Sequence, residues 1–316
     1  MASRVESPRP TASPQPEDRT SGAVAAPAPT EEGDRGWAVP AIEFRHVHFS
    51  FDDKKVLDDL SFAVMRGEIK IILSGSGGGK STILKLVLGL LKPDEGQVLV
   101  DGEDITGFDE ADMEHVCDKI GMVFQEGGLF DSLSVYDNVA YRLHEQDVPE
   151  EDVEREVRLL LRFVNLENET DKLPSELSGG MQKRVGVARA LVGNPEVVLF
   201  DEPTAALDPP TARTVCELVI KLRDLENVAS ILVTHEMDVV KNLTTEYAVV
   251  SDEGEVTVRE EGEKLCLTNT SILMLCDGRG IFDGTEEALV KSEDPYIQEF
   301  IRGTEVDTGN EEQGAA

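Results

Sequence analysis

The residues best suited to chemistry form one glycine-rich run, Gly75-Ser-Gly-Gly-Gly-Lys80-Ser81-Thr82. Apolar stretches predict a strand before it, at residues 68–74, and a buried helix after it, at residues 83–91. At such a junction, glycines let backbone N–H groups turn towards a phosphate, and the helix N-terminus adds partial positive charge. Lys80 can then contact the β- and γ-phosphates of a nucleotide, while the Ser81 hydroxyl can bind Mg²⁺. The run predicts a phosphate-binding loop formed by Ser76, Gly77, Gly78, Gly79, Lys80, Ser81 and Thr82.

The loop departs from the usual GxxxxGK[ST] spacing at its first position, where Ser74 stands in place of glycine. The remaining glycines can still form the cradle, and we expect the turn into the loop to be less tight. A flexible Gly/Ser linker is the alternative interpretation. The strand predicted before the loop and the helix predicted after it favour phosphate binding.

Two further groups of polar residues follow predicted strands. Asp201 ends the apolar stretch Val197-Val-Leu-Phe and is placed to hold the water shell of Mg²⁺, and Glu202 can polarise an attacking water. His235 follows a predicted strand at residues 231–234, and ligands in open α/β sheets bind beyond the carboxyl ends of strands. His235 can therefore donate to a γ-phosphate. Taken singly, an acidic pair is at least as commonly a turn or helix start, and a histidine is more often structural.

A second glycine-rich segment, Leu177-Ser178-Gly179-Gly180-Met181-Gln182, opens a predicted helix without a lysine of its own. It is another candidate anion cradle, because its N–H groups lie at a helix N-terminus. One nucleotide and two cradles per chain make sense if two copies pair head to tail. The sequence thus predicts a homodimer in which Ser178, Gly179, Gly180, Met181 and Gln182 act on the ATP bound by the partner.

The order of these motifs resembles an ABC ATPase over roughly residues 42–302. The resemblance implies an α/β fold: a P-loop NTPase (RecA-like) core with an inserted α-helical subdomain and a small antiparallel β subdomain. It implies ATP and Mg²⁺ as cofactors. The catalytic residues that it implies are Lys80, Gln125, Glu202 and His235, and the metal contacts are Ser81, Gln125 and Asp201.

The resemblance also assigns roles outside these motifs. Phe51 occupies the position of an aromatic residue that stacks on adenine, and Gln125 would sense a membrane permease. Asp208 lies in a segment that resembles the loop linking the two active sites of a dimer. The usual serine of that loop is Ala206 here, which removes one hydroxyl hydrogen bond.

Composition and patterning limit the organisation of the chain. The net charge of −33 opposes nonspecific binding to nucleic acid. No apolar run approaches the roughly 20 residues that cross a bilayer, and no secretion signal is evident, so we expect a cytoplasmic protein held at the inner membrane face by a permease. The predicted units are a disordered tail at 1–40, an ABC ATPase domain at 41–302 with helices at about 126–190 and a hairpin-like insertion at about 244–270, and an acidic tail at 303–316.

Three segments, at residues 127–141, 178–185 and 294–303, resemble Mla/Mce-type lipid-transport ATPases. That resemblance implies an MlaE-like permease, an MCE-domain substrate-binding protein and a phospholipid or other lipid as cargo. Met181-Gln182 also occurs in glycine-betaine and similar importers, so small-solute import stays open. A soluble ABC ATPase is a further alternative, although the sequence has no long coiled coil or tandem cassette. The apolar stretch 127–141 fits a docking surface and core packing equally well.

Overall fold

The protein is described by a computed structural model covering residues 39–75, 77–251, 256–260 and 269–311, without the side chains of 260 and 304–311. The strands are β1 Ile42–Phe51, β2 Lys54–Val64, β3 Ile69–Leu73, β4 Glu95–Val100, β5 Glu103–Asp104, β6 Ile120–Val123, β7 Val197–Asp201, β8 Ala229–Thr234, β9 Glu246–Val250, β10 Val256–Glu260, β11 Thr270–Cys276 and β12 Arg279–Gly284. The helices are α1 Lys80–Val87, α2 Glu110–Cys117, α3 Val135–Glu145, α4 Glu150–Phe163, α5 Gly179–Ala190, α6 Pro209–Glu226, α7 Met237–Thr245, α8 Glu286–Val290 and α9 Pro295–Glu311. A short 3₁₀ helix, Pro174–Glu176, precedes α5.

The central sheet has the strand order β12-β11-β3-β8-β7-β6 and is parallel except for β12 at its edge. Strands β3 and β8 are buried along their whole length, because a parallel sheet is covered on both faces. The three central strands β3, β8 and β7 lead into the glycine-rich loop, His235 and Glu202 respectively. The sheet therefore gathers the predicted site residues at one edge, and the predicted α/β class is confirmed.

Two apolar cores lie on the two faces of this sheet. In β3, Ile69, Ile71 and Leu73 face the core shared with α3 to α7, while Ile72 faces the core shared with α1 and the second sheet. This alternation follows from the two-residue period of a strand. The second sheet, in the order β2-β1-β4-β5, is antiparallel.

Helix α1 is shorter at its end than the sequence predicts. The sequence predicts that the helix extends to residue 91, but it ends at Val87 because Gly89 takes a positive φ of 66°. The N–H of Leu90 donates to the carbonyl of Lys85 and that of Gly89 to Leu86. These two bonds form a Schellman cap, which satisfies the last carbonyl groups of the helix.

Helices α3, α4 and α5 pack together within the segment predicted to be helical. Asn138 of α3 is fully buried, and its amide donates to the carbonyls of Phe130, Leu133 and Ser134. Its carbonyl oxygen accepts from the N–H of Phe130 at 2.8 Å. One buried side chain thus fixes the loop before α3, since its donors and acceptor are all used inside the protein.

Within the predicted insertion, β9 and β10 form an antiparallel pair. The second alternating stretch of the expected hairpin, residues 264–267, lies outside the described residues. Arg223 of α6 is buried beneath this pair, and its guanidinium donates to the carbonyls of Leu243 and Glu246 and to the hydroxyl of Thr270. A single side chain therefore ties the segment before the insertion to the strand after it.

The C-terminal helix α9 continues through Glu311, beyond residue 303, where the sequence favours the start of an acidic tail. The segment contains no proline after Pro295 that would stop the helix. Within the described ranges, no helix has the length and apolar character needed to cross a bilayer. The predicted tail at residues 1–40 falls outside the description except for Val39 and Pro40.

Candidate functional site

The glycine-rich loop connects β3 to α1 at the edge where the central strands end. Gly77 and Gly79 have φ angles of 77° and 89°, which glycine adopts without strain. A Cβ at Gly78 would lie 2.4 Å from the Ser74 hydroxyl oxygen, so the side chain of Ser74 fills the space that Gly78 leaves. Ser74 is fully buried and has no positive φ. The first position of the loop therefore accepts serine, and Ser76 lies outside the described residues.

Lys80, the first residue of α1, points back into the loop. Its ammonium group donates to the carbonyl of Ser74 at 2.9 Å and lies 3.7 Å from a Glu202 carboxylate oxygen. Burial lowers the pKa of Lys80, while the negative charge of Glu202 opposes that shift. A buried cation beneath a glycine-rich loop is suited to binding phosphate.

Ser81 and Asp201 meet across the loop, although they are 120 residues apart in the chain. The Ser81 hydroxyl donates to a carboxylate oxygen of Asp201 at 3.3 Å. Burial raises the pKa of Asp201, because its charged form is partly removed from water. The pair offers two hard oxygen atoms, the type of ligand that Mg²⁺ prefers.

Glu202 and His235 form a second contact beside Lys80. The His235 Nδ1 atom and a Glu202 carboxylate oxygen are 3.2 Å apart. Glu202 has a positive φ of 46°, and its N–H donates to the carbonyl of Val233 in β8. This conformation is unfavourable for residues other than glycine. They adopt it where the surrounding structure holds them in place, as often happens at functional sites. The turn directs the carboxylate towards the loop.

A cleft of about 950 Å³ joins these groups. Gly77, Gly78, Gly79, Lys80, Ser81 and Thr82 line it, together with Glu202 and His235. Phe51, the last residue of β1, also lines it with 48% of its surface exposed, and its ring packs edge-to-face on Phe49. The structure therefore brings together the loop, the acidic and histidine residues, and the aromatic residue that the sequence singled out.

The second glycine-rich segment lies elsewhere in the chain. Among the described residues that line the cleft, none belongs to 178–182. Ser178 caps α5 by accepting from the N–H of Met181, and Ser178 and Gly179 are exposed. Gly180 is buried instead, and a Cβ there would lie 2.1 Å from the Thr211 methyl carbon. Gly180 lets α5 approach α6 closely, a role that the sequence analysis missed.

Gln125 and Asp208 do not line the cleft. Gln125 is exposed two residues after β6, whose neighbour β7 ends at Asp201. Asp208 caps α6, where the N–H of Thr211 donates to its carboxylate at 3.2 Å. Hydrogen bonding from Thr211 lowers the pKa of Asp208. Ala206, in the same loop, has a φ of 60°.

Four residues of α9 line the cleft although the sequence analysis gave them no role there. They are Tyr296, Glu299, Phe300 and Gly303. Their spacing of three, one and three residues places them on one face of a helix, which is the signal that could have found them. Lys54 and Val56 of β2 also line the cleft.

Known proteins share this sequence pattern and fold. The family model described as ABC transporter matches residues 57–205. A methionine import ATP-binding protein, MetN of Rhizobium meliloti, is 43% identical over 203 residues, which are 64% of this chain and 56% of that protein. MlaF of Haemophilus influenzae, an intermembrane phospholipid transport system ATP-binding protein, is 33% identical over 263 residues. That match covers 83% of this chain and 90% of MlaF, whereas the chain spans little more than half of the methionine import protein.

A solved structure has the same fold. It is a dimeric ATP-binding cassette in a post-hydrolysis state, bound to ADP and Pi. The TM-score is 0.63 at 28% sequence identity, and the match covers 77% of this chain and 98% of the other. The overlap extends across nearly the whole of that cassette.

Proposed function

Because the chain belongs to the ABC transporter family, as an ABC-type ATPase, we propose that it binds and hydrolyses ATP to drive a separate membrane permease. The observation that carries this proposal is the meeting of Lys80, Asp201, Glu202 and His235 around one phosphate-binding loop. These side chains come from three separate stretches of the sequence. A loop that was only a flexible linker would give no reason for them to converge.

In the proposed reaction, the loop N–H groups and Lys80 hold the β- and γ-phosphates of ATP. Glu202 takes a proton from a water whose oxygen attacks the γ-phosphorus, and the bond to the ADP oxygen breaks, giving ADP and phosphate. His235 orients the Glu202 carboxylate through Nδ1 and leaves Nε2 for the γ-phosphate, to which it donates when the ring is protonated. The protein thus contributes positioning and charge stabilisation.

The donor set around Ser81 fits Mg²⁺. Within the described residues, no group of three or more His, Cys, Asp or Glu side chains could hold a metal by itself. Mg²⁺ is commonly bound by one or two carboxylates together with substrate phosphates, so Asp201 with Ser81 suits it. Gln125 would add an amide oxygen. The ion would neutralise phosphate charge in the bound nucleotide.

We further propose that two copies pair head to tail. The exposed Ser178 and Gly179 open a twelve-residue helix, and an exposed helix N-terminus attracts anions. Because these residues lie outside the cleft of their own chain, the γ-phosphate they would contact is the partner's. Asp208 and Ala206 occupy the loop between Glu202 and α6, and this position beside Glu202 supports a role for the loop in linking the two sites.

Glu202→Gln tests the catalytic proposal. General base catalysis contributes roughly 10²- to 10⁴-fold, so we expect ATP turnover to fall at least about 100-fold while ATP binding persists and the dimer accumulates. Glu151→Gln, an exposed carboxylate on α4, is the matched control and should retain activity. Turnover of Glu202→Gln near the wild-type rate would exclude Glu202 as the base.

An exposed aromatic patch beside Gln125 is the proposed docking surface for the permease. It consists of Phe124, Phe130 and Tyr141, each more than 40% exposed. The rings of Phe130 and Tyr141 are 4.7 Å apart, and the guanidinium carbon of Arg189 lies 5.9 Å from the Phe130 ring centre. Aromatic and arginine side chains are enriched in protein interfaces.

The sequence left two interpretations open for the apolar stretch 127–141, core packing and docking, and different side chains of the stretch fit each one. Val135 is fully buried, and Leu129 and Tyr136 pack partly against the core. Phe130 and Tyr141 remain exposed. Core packing therefore accounts for most of the apolar side chains, and docking is proposed for the exposed aromatic ones.

For the cargo, we propose a phospholipid or other lipid, with an MlaE-like permease and an MCE-domain protein as partners. The match with a phospholipid transport protein supports this choice, since it covers 83% of this chain and 90% of that protein. Small-solute import is the second candidate, because the methionine import protein has the higher identity.

Purification from native membranes in mild detergent, followed by mass spectrometry, separates these candidates. Recovery of an MlaE-like permease with an MCE-domain protein is the expected result. Recovery of another permease with a soluble binding protein would assign the chain to solute import. The transport proposal would be contradicted if neither the wild-type protein nor the Glu202→Gln variant co-purified with a membrane protein.

A further inference from the structure

One face of the C-terminal helix lines the nucleotide cleft. Tyr296, Glu299, Phe300 and Gly303 recur at positions i, i+3, i+4 and i+7, and all four border the cleft. The Tyr296 hydroxyl lies 3.5 Å from the position that a Cβ at Gly75 would take. Helix α9 thus reaches the entry of the phosphate-binding loop.

The start of α9 is fixed to the rest of the domain. The Asp294 carboxylate accepts from the N–H groups of Tyr296 and Ile297, at 2.8 and 3.3 Å. The Gln298 amide donates to the carbonyl of Ser292 at 2.8 Å. Ile297 is 1% exposed and packs in the core that also covers α3 to α7. The cleft-lining face is therefore held in place by a cap, a side-chain bond and a buried anchor.

The cleft has room for a nucleotide while α9 stays in position. Its volume of about 950 Å³ is at the upper end of the ~300–1,000 Å³ found for small-molecule sites. The phosphate-binding loop accounts for the triphosphate half of ATP. Phe51 and the α9 residues are the remaining cleft residues that could contact the nucleoside half of ATP.

The side chains on this face suit a nucleoside. Tyr296 and Phe300 are partly buried aromatic residues, and aromatic rings pack well against bases and sugars. The Glu299 carboxylate accepts hydrogen bonds, which ribose hydroxyl groups donate. Gly303 adds no side chain at the end of the row, so space remains there.

Building on the proposed ATP binding, we propose that this face of α9 is the second wall of the nucleotide site. Tyr296 and Phe300 contact the nucleoside of ATP, and Glu299 accepts from its ribose hydroxyl groups. The wall adds affinity for nucleoside triphosphates and none for a bare polyphosphate. It makes the C-terminal helix part of the ATP site rather than an appendage.

The test compares ATP with inorganic tripolyphosphate, each with Mg²⁺, by titration calorimetry on the full chain. Phe300→Ala should weaken ATP binding at least about fivefold, the lower end for losing one stacked ring, and leave tripolyphosphate binding unchanged. Equal weakening of both ligands would mean that α9 only supports the loop. Tighter ATP binding would mean that the helix competes with the nucleotide, and unchanged binding would remove its role; each of these results overturns the proposal.

Matched variants distinguish loss of the contact with ATP from loss of protein stability. Phe300→Leu keeps much of the volume but removes the ring, so it should weaken ATP binding without lowering the unfolding temperature. Val290→Ala, in neighbouring α8 and 49% exposed, is the control that should bind ATP normally. If Lys80→Ala leaves ATP binding unchanged, the proposed function itself fails. If Lys80→Ala weakens binding and Phe300→Ala does not, the role of α9 alone fails.

Discussion

Alanine substitutions at two adjacent glycines should have opposite consequences. A Cβ at Gly180 would lie 2.1 Å from the Thr211 methyl carbon, whereas the nearest atom to a Cβ at Gly179 is 3.9 Å away. Overpacking of a tight contact costs about 1–3 kcal/mol, and replacing glycine in a helix regains up to about 1 kcal/mol. We therefore expect Gly180→Ala to destabilise the protein by about 1–2 kcal/mol, and Gly179→Ala to be neutral or stabilising.

Thermal unfolding followed by circular dichroism measures this difference. For a domain of this size, about 1–2 kcal/mol corresponds to a decrease in Tm of roughly 2–8 °C. Thr211→Ser removes the methyl carbon involved, so the double variant Gly180→Ala/Thr211→Ser should recover most of the lost stability, a coupling typical of residues in contact. An unchanged Tm for Gly180→Ala, an equal loss for Gly179→Ala, or a double variant without recovery would refute the argument that α5 and α6 require glycine at this position.

Two further predictions concern buried and paired charges. Arg223→Met removes two buried hydrogen bonds from a charged guanidinium, to the carbonyls of Leu243 and Glu246. Such bonds contribute about 1.5–3 kcal/mol each, so urea unfolding should show a loss of roughly 3–6 kcal/mol. Arg155→Met, in an exposed ion pair, should change stability by about 1 kcal/mol or less. Hydrogen bonds from Lys55 and then Arg279 lower the pKa of Asp58 from 3.8 to about 2. Because the folded pKa is below the unfolded one, this stabilisation is complete above pH 3.8 and is lost as the pH falls towards 2, and Asp58→Asn should flatten that part of an acid-unfolding profile.

The parts of the site that the sequence predicted are those whose chemistry is local. A strand, a glycine-rich turn and a helix start are adjacent in the chain, so the loop around Lys80 could be placed from its own residues. Asp201 and His235 follow strands whose continuous apolar character marks them as central. Parallel strands end at a common edge, and this rule brought the separate motifs together.

The features that the sequence missed depend on distant contacts. The sequence suggests that Gly180 belongs to an anion cradle. In the structure, Thr211, 31 positions later, occupies the space that a side chain at residue 180 would need. The cleft-lining face of α9 becomes evident only when that helix is placed against the loop more than 200 residues earlier. The pairing of β10 with β9 is a further contact that the sequence analysis did not predict.

The bonds made by Arg223 also affect how freely the chain can vary in length. One guanidinium donates to the backbone carbonyl of Glu246 and to the side-chain hydroxyl of Thr270, and so links the two ends of the segment from 246 to 270. Closing a flexible loop of twice the length costs only about 0.6 kcal/mol more. A fluorescent label or affinity tag inserted between residues 246 and 270 should therefore cost the protein little stability.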